Sequence, residues 1–468
     1  MGTLVSALNI ANEALAADQS ALNITANNVA NQNTTGYTRE VPNFSTQDTY
    51  LLGGYEQADG VTAGEPISIR DRVLEQRVEQ QTQASAQSTT LQTALNGVQS
   101  IFGLTATSTS ADLTALGTAS DSFFSSLTAL AGNPSQSATR QGVLSAAQTL
   151  ATAFNTAQTQ LSGITNGLNS DALTIVGQVN SLLGSIADLN EKIATQSQTA
   201  DAGVLEDQRQ AAIAQLSQYI GLDQITTANN GIELTTSNDG LLVAGNLSYQ
   251  LNASLTNTGI QITAGPNNLD ISTGLTGGSL GGTLEALDTS LPPIQSRLDT
   301  LAYSIATAVN AQNELGFDAS GNPGQALFTI GTTSTGAAGT ITVATTDPNL
   351  VAAAGGGEGS SGNTNASLLA ALGTANIAGG TTADGYLASS LAQIGEAASN
   401  ANTDSTLQAA TLTQLTTQRN ALSGVSLDEE ASSLTQYQRS YQAASQIFSI
   451  IDTLFASALN FGVVTSVS

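Results

Sequence analysis

The chain of 468 residues has no cysteine, no histidine and no tryptophan, a single lysine, and few charges of either sign. Without Cys there is no disulfide and no thiolate nucleophile. Without Cys and His together, nearly every zinc site and every His-based triad is excluded. Charged residues make up 10% of the chain, against about 25% in an ordinary globular domain, so its surface must be built mainly from Ser, Thr, Asn, Gln, Gly and Ala. Ten basic residues against 36 acidic ones leave a net charge of −26. Phosphate backbones and anionic headgroups repel such a chain, and the scattered arginines and Lys192 form no basic stripe. Neither nucleic acid nor a membrane surface is expected as a partner. No run of roughly 20 apolar residues offers a membrane span. Residues 1–22 lack the basic start and apolar core of a cleavable secretory signal. The chain therefore stays in the cytoplasm or leaves by a route that reads something else.

What is present is helical periodicity at both ends. Leu4, Leu8, Ala11, Leu15, Leu22 and Val29 keep steps of three, four and seven, with Asp18 and Thr25 at intervening seam positions. At the far end Leu427, Leu434, Tyr441, Phe448 and Phe455 recur every seven residues, with Tyr437, Ala444, Ile451 and Ala458 three positions on. Narrow seams of this kind pair helices into coiled coils. The plainer alternative is one amphipathic helix at each end, packed on a globular core. Ser426 and Glu429 stand in the S-x-x-E arrangement of a capping box, and Asp428, Glu429 and Glu430 favour a helix N-terminus. Capping accounts for this acidic cluster without any catalytic role.

Between the ends, residues 73–222 read as helices, with stripes at Leu113, Leu116, Phe123, Leu127 and Leu130, then at Leu182, Ile186, Leu189 and Ile193, and a third over 205–220. From 222 to 272 short apolar runs alternate with turns such as Asn229-Asn230-Gly231, which predicts antiparallel strands. A helical seam returns from Leu284 through Leu291, Leu298 and Ile305, with a break and a fresh helix start expected at Pro292-Pro293. Candidate strands follow at 327–330 and 340–344. The Gly-rich run 354–365 reads as a flexible surface loop, since no G-K-[ST] makes it a phosphate loop. Asp318 to Asn322 fails as a calcium loop and reads as a turn. Helix resumes over 384–422, with Leu391, Ile394, Leu412, Leu415 and Leu422 expected on the buried side. The fold class is mainly α with an inserted β domain. A terminal coiled coil (1–45 with 424–468) would adjoin a helical rod domain with small β elements (46–222 with 277–423) and an outward-projecting antiparallel β domain (223–276). No cofactor or metal site is indicated. Lys192 falls on a polar helix face, where it is solvated, and nothing points to an enzyme.

Three stretches are more specific. Ala26-Asn27-Asn28-Val29-Ala30-Asn31-Gln32-Asn33-Thr34-Thr35-Gly36-Tyr37-Thr38-Arg39 resembles the signature after the first helix of the axial proteins of the bacterial flagellum. The run Ser423-Gly424-Val425-Ser426-Leu427-Asp428-Glu429-Glu430, followed by Tyr437-Gln438-Arg439-Ser440-Tyr441-Gln442-Ala443-Ala444, narrows the resemblance to the hook-associated protein 1 family. Leu205-Glu206-Asp207-Gln208-Arg209 and the run from Asn310 to Asp318 are similar to internal stretches of that family. The chain is short between its β section and its last long helices, so the second outer domain of better-known members is not expected.

The resemblance implies a structural role with nothing catalysed. Subunits would form a shallow ring joining hook to filament, with the terminal helices as its inner layer. The implied partners are further copies of the chain, hook protein, hook-associated protein 3, an export chaperone and the flagellar type III export apparatus. The implied location is extracellular, in the flagellum, reached without a cleavable signal peptide. Asn27, Asn28, Asn31, Gly36 and Tyr37 would end the first helix and turn the chain, and would then touch neighbouring subunits. A two-helix seam with Ala, Asp and Thr at several positions is marginal, so both ends are expected to order only on assembly. A hook or rod axial subunit, and an acidic cytoplasmic coiled-coil binding protein, are the alternatives.

Overall fold

A computed structural model describes residues 2–34, 36–47, 49–52, 55–58, 60–103, 115–196, 203–227, 230–256 and 259–460. The chain begins with helix α1 (Gly2–Asn31), followed by six short strands: β1 (Glu40–Val41), β2 (Phe44–Thr46), β3 (Thr49–Leu52), β4 (Tyr55–Ala58), β5 (Val61–Ala63) and β6 (Ile67–Ser68). Four helices come next: α2 (Arg72–Ile101), α3 (Ala115–Gly132), α4 (Ser137–Gln196) and α5 (Val204–Tyr219). The β section holds β7 (Asp223–Thr226), β8 (Ile232–Thr235), β9 (Leu241–Ala244), β10 (Leu247–Ser248), β11 (Asn252–Thr256), β12 (Gly259–Ala264) and β13 (Leu269–Asp270). Helices α6 (Gly278–Glu285) and α7 (Leu291–Glu314) lead into an irregular stretch with β14 (Phe328–Thr329), the short α8 (Ala337–Thr340), β15 (Thr342–Val343) and α9 (Thr364–Ala371). The chain closes with α10 (Ala383–Ser423) and α11 (Leu427–Asn460).

Helix α4 organises the rod. Its 60 residues extend about 90 Å at 1.5 Å per residue, and its two halves serve different cores. Val143, Ala147, Leu150, Phe154 and Leu161 enter a helical core with α3, α7, α9 and the start of α10. Val179, Leu183 and Ile186 join α5, α6 and the β section in a second core that includes Leu234, Val243 and Ile262. The two β-section sheets, β10-β9-β8-β7 and β11-β12-β13, are antiparallel throughout. They gain their stability by packing on helices, because such small sheets cannot bury a sufficient face alone. Strands β14 and β15 pair antiparallel, at the two places the alternation pointed to.

Helices α2 and α10 lie side by side through a polar seam: Gln81 Nε2 donates to Gln408 Oε1 (2.7 Å), Thr89 and Ser405 share a bond (3.2 Å), and Gln92 donates to Asn402 (2.6 Å). Helix α6 crosses α2 so closely that a Cβ on Gly282 would overlap the Gln87 carbonyl oxygen. Only glycine allows that approach. The terminal helices α1 and α11 pack on each other. Along this seam Leu8, Leu15, Leu22, Leu434, Tyr441, Phe448 and Phe455 are half-buried, while Ala11 and Ala444 are buried.

Several expectations require correction. Leu422 is exposed and its neighbour Ser423 is buried instead, because the last turn of α10 abuts the chain after α1. Leu427, assigned to the seam, is also exposed, one turn before α11 closes on α1. The proline pair does open a fresh helix, with Pro292-Pro293 in the first turn of α7, where missing amide donors cost nothing, but the join to α6 is a π turn over Ala286–Ser290 and not an open break. Helix 137–195 is long and apolar enough by composition to cross a membrane. Its apolar residues instead line the two cores described above. Strands β1 to β6 were not anticipated, since two- to four-residue runs leave little alternation to read. Leu113 lies outside the described residues.

Candidate assembly joint at the root of the terminal helices

Asn28 occupies the last turn of α1 and is 1% exposed. Its Nδ2 donates to the Glu40 carbonyl (2.8 Å) and to Glu430 Oε2 (3.2 Å), while its Oδ1 accepts from the Tyr37 hydroxyl (2.8 Å) and the Glu40 amide (3.0 Å). Only a side-chain amide supplies two donors and an acceptor in so small a volume. Burial, followed by the nearby carboxylates of Glu40, Asp207 and Glu430, pushes the Tyr37 phenol far above its ordinary value, so it remains a donor at any physiological pH.

The turn that brings Tyr37 back is built by its neighbours. Asn31 Nδ2 donates to Asn27 Oδ1 (2.8 Å) and to the Asn27 carbonyl (3.0 Å), and Thr34 Oγ1 donates to Asn31 Oδ1 (3.2 Å). Gly36 then adopts φ +85°, a left-handed conformation that other residues rarely hold. Asn27 is exposed and Asn31 half-buried, so these two shape the helix end, whereas Asn28 and Tyr37 join elements.

Arg39 ties the turn to the other end of the chain. Its amide donates to the Ser423 carbonyl (2.9 Å), its Nε meets Glu430 (2.6 Å) and its guanidinium also meets Glu429 (2.7 Å). Glu430 is 2% exposed at the side chain and Glu429 63%, so the buried pair carries most of the interaction. The acidic turn of α11 is thus engaged across the chain and not in the expected Ser426–Glu429 side-chain box. The carboxylates of Glu429 and Glu430 grip the chain after α1, and Ser426 supplies its carbonyl to the Glu430 amide (2.9 Å).

The third partner is the rod. The Thr38 amide donates to Asp207 Oδ2 (3.1 Å) on α5. Arg70, almost fully buried, pairs with Glu206 (2.8 Å), Asp207 and Glu75 (3.5 Å), and Arg72 reaches Glu206 (3.4 Å). Deeper in the same cluster Glu79 accepts from Gln210, and burial together with the Glu75 charge raises its carboxyl to about 8. Arg209 anchors the far side, donating to Asn190 Oδ1 (2.8 Å) and the Asn230 carbonyl (2.6 Å). Its burial lowers its guanidinium to about 10.

The joint thus unites four segments separated in sequence: 27–40, 70–79, 205–210 and 423–430. Asn28, Tyr37 and Glu429 belong to it. Leu8, Leu15, Leu22, Leu434, Tyr441, Phe448 and Phe455 lie along the helix pair it anchors. Arg39, Glu40, Arg70, Asp207 and Glu430 also belong, and periodicity gave no sign of them, because single charged residues in loops and first turns carry no pattern. Its carboxylates are engaged by arginines and amides, and among the described residues no group of three His, Cys, Asp or Glu is placed to hold a metal ion. The arrangement can transmit orientation and force between helices, and it contains no nucleophile–base pair.

Residues 104–328 match the model of the flagellar hook-associated protein FlgK helical domain. Residues 8–38 match the flagella basal body rod protein model and 418–461 the flagellar basal body rod FlgEFG protein C-terminal model. The chain is 27% identical to flagellar hook-associated protein 1 of Salmonella typhimurium, over 97% of this chain and 99% of that protein. It is 28% identical to flagellar hook-associated protein 1 of Bacillus subtilis, over 97% of each. Over nearly its whole length the chain is thus similar to flagellar hook-associated protein 1. Beside the Salmonella typhimurium relative it is compact: their alignment runs over 557 positions against the 468 residues here. The fold aligns with the flagellar hook junction protein FlgK from Burkholderia pseudomallei at a TM-score of 0.69, with 21% identity, covering 74% of this chain and 100% of that one. The rod-model matches contain Asn28, Tyr37, Glu429 and Glu430, and the helical-domain match contains Glu206, Asp207 and Arg209, while Arg39, Glu40 and Arg70 lie between the matched segments.

Proposed function

We propose that this chain is the structural adaptor between hook and filament of a bacterial flagellum, a ring whose subunits couple two helical lattices. The observation that carries the reading is the joint: Asn28, Arg39 and Glu430 lock α1 to α11, and Thr38, through Asp207, fixes that pair to the rod. An adaptor must hold an inner helical layer at a set angle to an outer domain under torque, and buried charge-assisted bonds give that angle specificity.

The paired terminal helices form the inner layer, and the β section between α5 and α6 projects outward. Hook protein lies on one side and hook-associated protein 3 on the other. The chain reaches its place unfolded through the flagellar type III apparatus, with an export chaperone holding α11 beforehand. Several apolar residues on the open face of α11 (Ile447, Ile450 and Leu454) suit such cover. The rod-type models at both chain ends favour a hook or rod subunit as the second reading, but a match to the FlgK helical domain over 104–328 favours the junction.

Electron microscopy of cells lacking the gene, with an assay for flagellin in the medium, tests the role. Bare hooks and flagellin lost as monomer are the expected result. Absent hooks would move the protein down to hook or rod, and normal flagella would overturn the assignment.

A further inference from the structure

Against a net charge of −26, exposed positive charge stands at few places: at Lys192, at Arg439 on α11, and in a cluster of three arginines. At the root of the rod, Arg72 and Arg77 are exposed at the start of α2, and Arg419 is partly exposed near the end of α10. The Gln81–Gln408 bond sets the antiparallel register of the two helices. Counting back along α2 and forward along α10 from that bond brings these residues to the same end, and Arg419 acts electrostatically on Glu75 of α2. Among the described residues no ion pair engages Arg77 or Arg419, and Arg419 donates only to the side chain of its neighbour Asn420 (3.2 Å). Apolar side chains stand among these cations: Val73 is 70% exposed and Leu422 58% exposed, with Ile69 beside them.

The opposite end of the rod carries the complementary chemistry. Leu315, at 75%, is the most exposed large apolar residue among those described, and it follows the exposed Glu314 at the end of α7. Gln312 bonds Asn365 (2.7 Å), which places the start of α9, with its exposed Leu368, alongside. Glu358, bonded to the Thr364 amide (3.2 Å), adds a second carboxylate, held ionised by its bonds to Thr364 and Gly355. Helix α7 runs antiparallel to α4, since Gln295 bonds Thr165 (3.4 Å) while Asn313 shares the 351–352 segment with Arg140 at the start of α4. The root lies at the other end, where Asn190 bonds Arg209 of α5. The two patches are therefore separated by most of the ~90 Å of α4.

We propose that the basic apolar patch around Val73 of one copy docks on the acidic apolar knob around Leu315 of a second copy, joining subunits head to tail. This names a contact within the junction assembly and rests on that reading. A head-to-tail contact is heterologous, the kind that closes into rings or propagates along a helix. In this approach the exposed cations of one copy meet the carboxylates of the other, which favours it between two copies that each carry −26. The contact weakens with salt, because its charges are at the surface.

The absence of cysteine makes the test direct. A full-length chain carrying both V73C and L315C cannot bridge them internally, since a disulfide needs Cα atoms about 4.4–6.8 Å apart. Any bond between positions 73 and 315 must then join two copies. Purified chain and isolated flagella are oxidised, run without reductant, and the linked peptides identified by mass spectrometry. The expected result is a ladder at least tenfold stronger than with V73C/L173C as the control, lost when R77E and R419E are added. Linking no better than the control, insensitivity to the charge reversals, or capture of hook protein in place of a second copy would overturn the contact. A strain that grows filaments on the V73C/L315C chain without the 73–315 link refutes this contact while leaving the junction role intact. A deletion strain with normal flagella refutes the junction role itself.

Discussion

Glu79 gives the sharpest test of the packing between α2 and α5. Its carboxyl is 3% exposed, accepts from Gln210 and faces Glu75, with Arg70, Arg72 and Arg419 grouped around Glu75 rather than around it. Burial first, and the Glu75 charge second, raise it from 4.5 to about 8. A raised carboxyl means that the folded chain binds more protons than the unfolded one, so stability is lost as pH rises from about 4.5 to about 8 and levels off above. At roughly 1.4 kcal/mol per pKa unit, the loss is on the order of 3–5 kcal/mol. E79Q keeps an acceptor for Gln210 and removes the charge. It should leave the melting temperature unchanged at pH 4.5 and raise it by roughly 5 °C at pH 8.5. Thermal unfolding by circular dichroism at the two pH values reads this out. An equal shift at both, or a lower melting temperature at pH 8.5, refutes the reasoning. Glu358 and Asp270 act in the opposite sense: hydrogen bonds from Thr364 and from Gln261 hold them below their ordinary 4.5 and 3.8, so their contribution is present above those values and lost only as pH falls below them. Maximal stability is expected near pH 5, a mildly acidic optimum that suits a chain with so many carboxylates.

Further outcomes follow from particular residues. N28A strands the Tyr37 hydroxyl, the Glu40 amide and one Glu430 oxygen, at a cost of about 2–4 kcal/mol, visible as at least 30-fold faster amide exchange in the last turn of α1 and the first of α11. N28D should be worse at pH 7.5, where it adds a charge beside Glu430, and should recover toward N28A at pH 5. A double-mutant cycle on Arg39 and Glu430 should give a coupling of about 1–3 kcal/mol in chemical unfolding, while the exposed Glu429 couples by less than about 1. G282A forces α6 off α2 and should cost about 2–3 kcal/mol. G163A, on an open face of α4 with nothing near its Cβ, should stabilise by about 0.5–1 kcal/mol.

The helical frame was legible because its signal is redundant. Phe123, Leu127 and Leu130 are all fully buried at the spacing that marked them, and the turn pairs around 222–272 do separate antiparallel strands. Leu422 misled because a stripe carried to the last turn of a helix ignores what lies beyond it. There the chain from Arg39 covers Ser423 and leaves Leu422 outside. The joint was half legible. Asn28, Gly36 and Tyr37 stood out by motif, and the acidic turn by its cap, yet nothing local says that Glu430 reaches Arg39 across 391 positions. Such pairings are set by tertiary placement, and a single sequence carries no period or spacing for them.

The central claim is that this chain sits at one place, between hook and filament, with its β section outward. Immunogold labelling of intact flagella with an antibody raised against residues 222–272 tests it most directly. The account predicts a single band of gold at the hook–filament boundary on every flagellum. Gold spread along the hook or the filament, or none outside the cell, would contradict it.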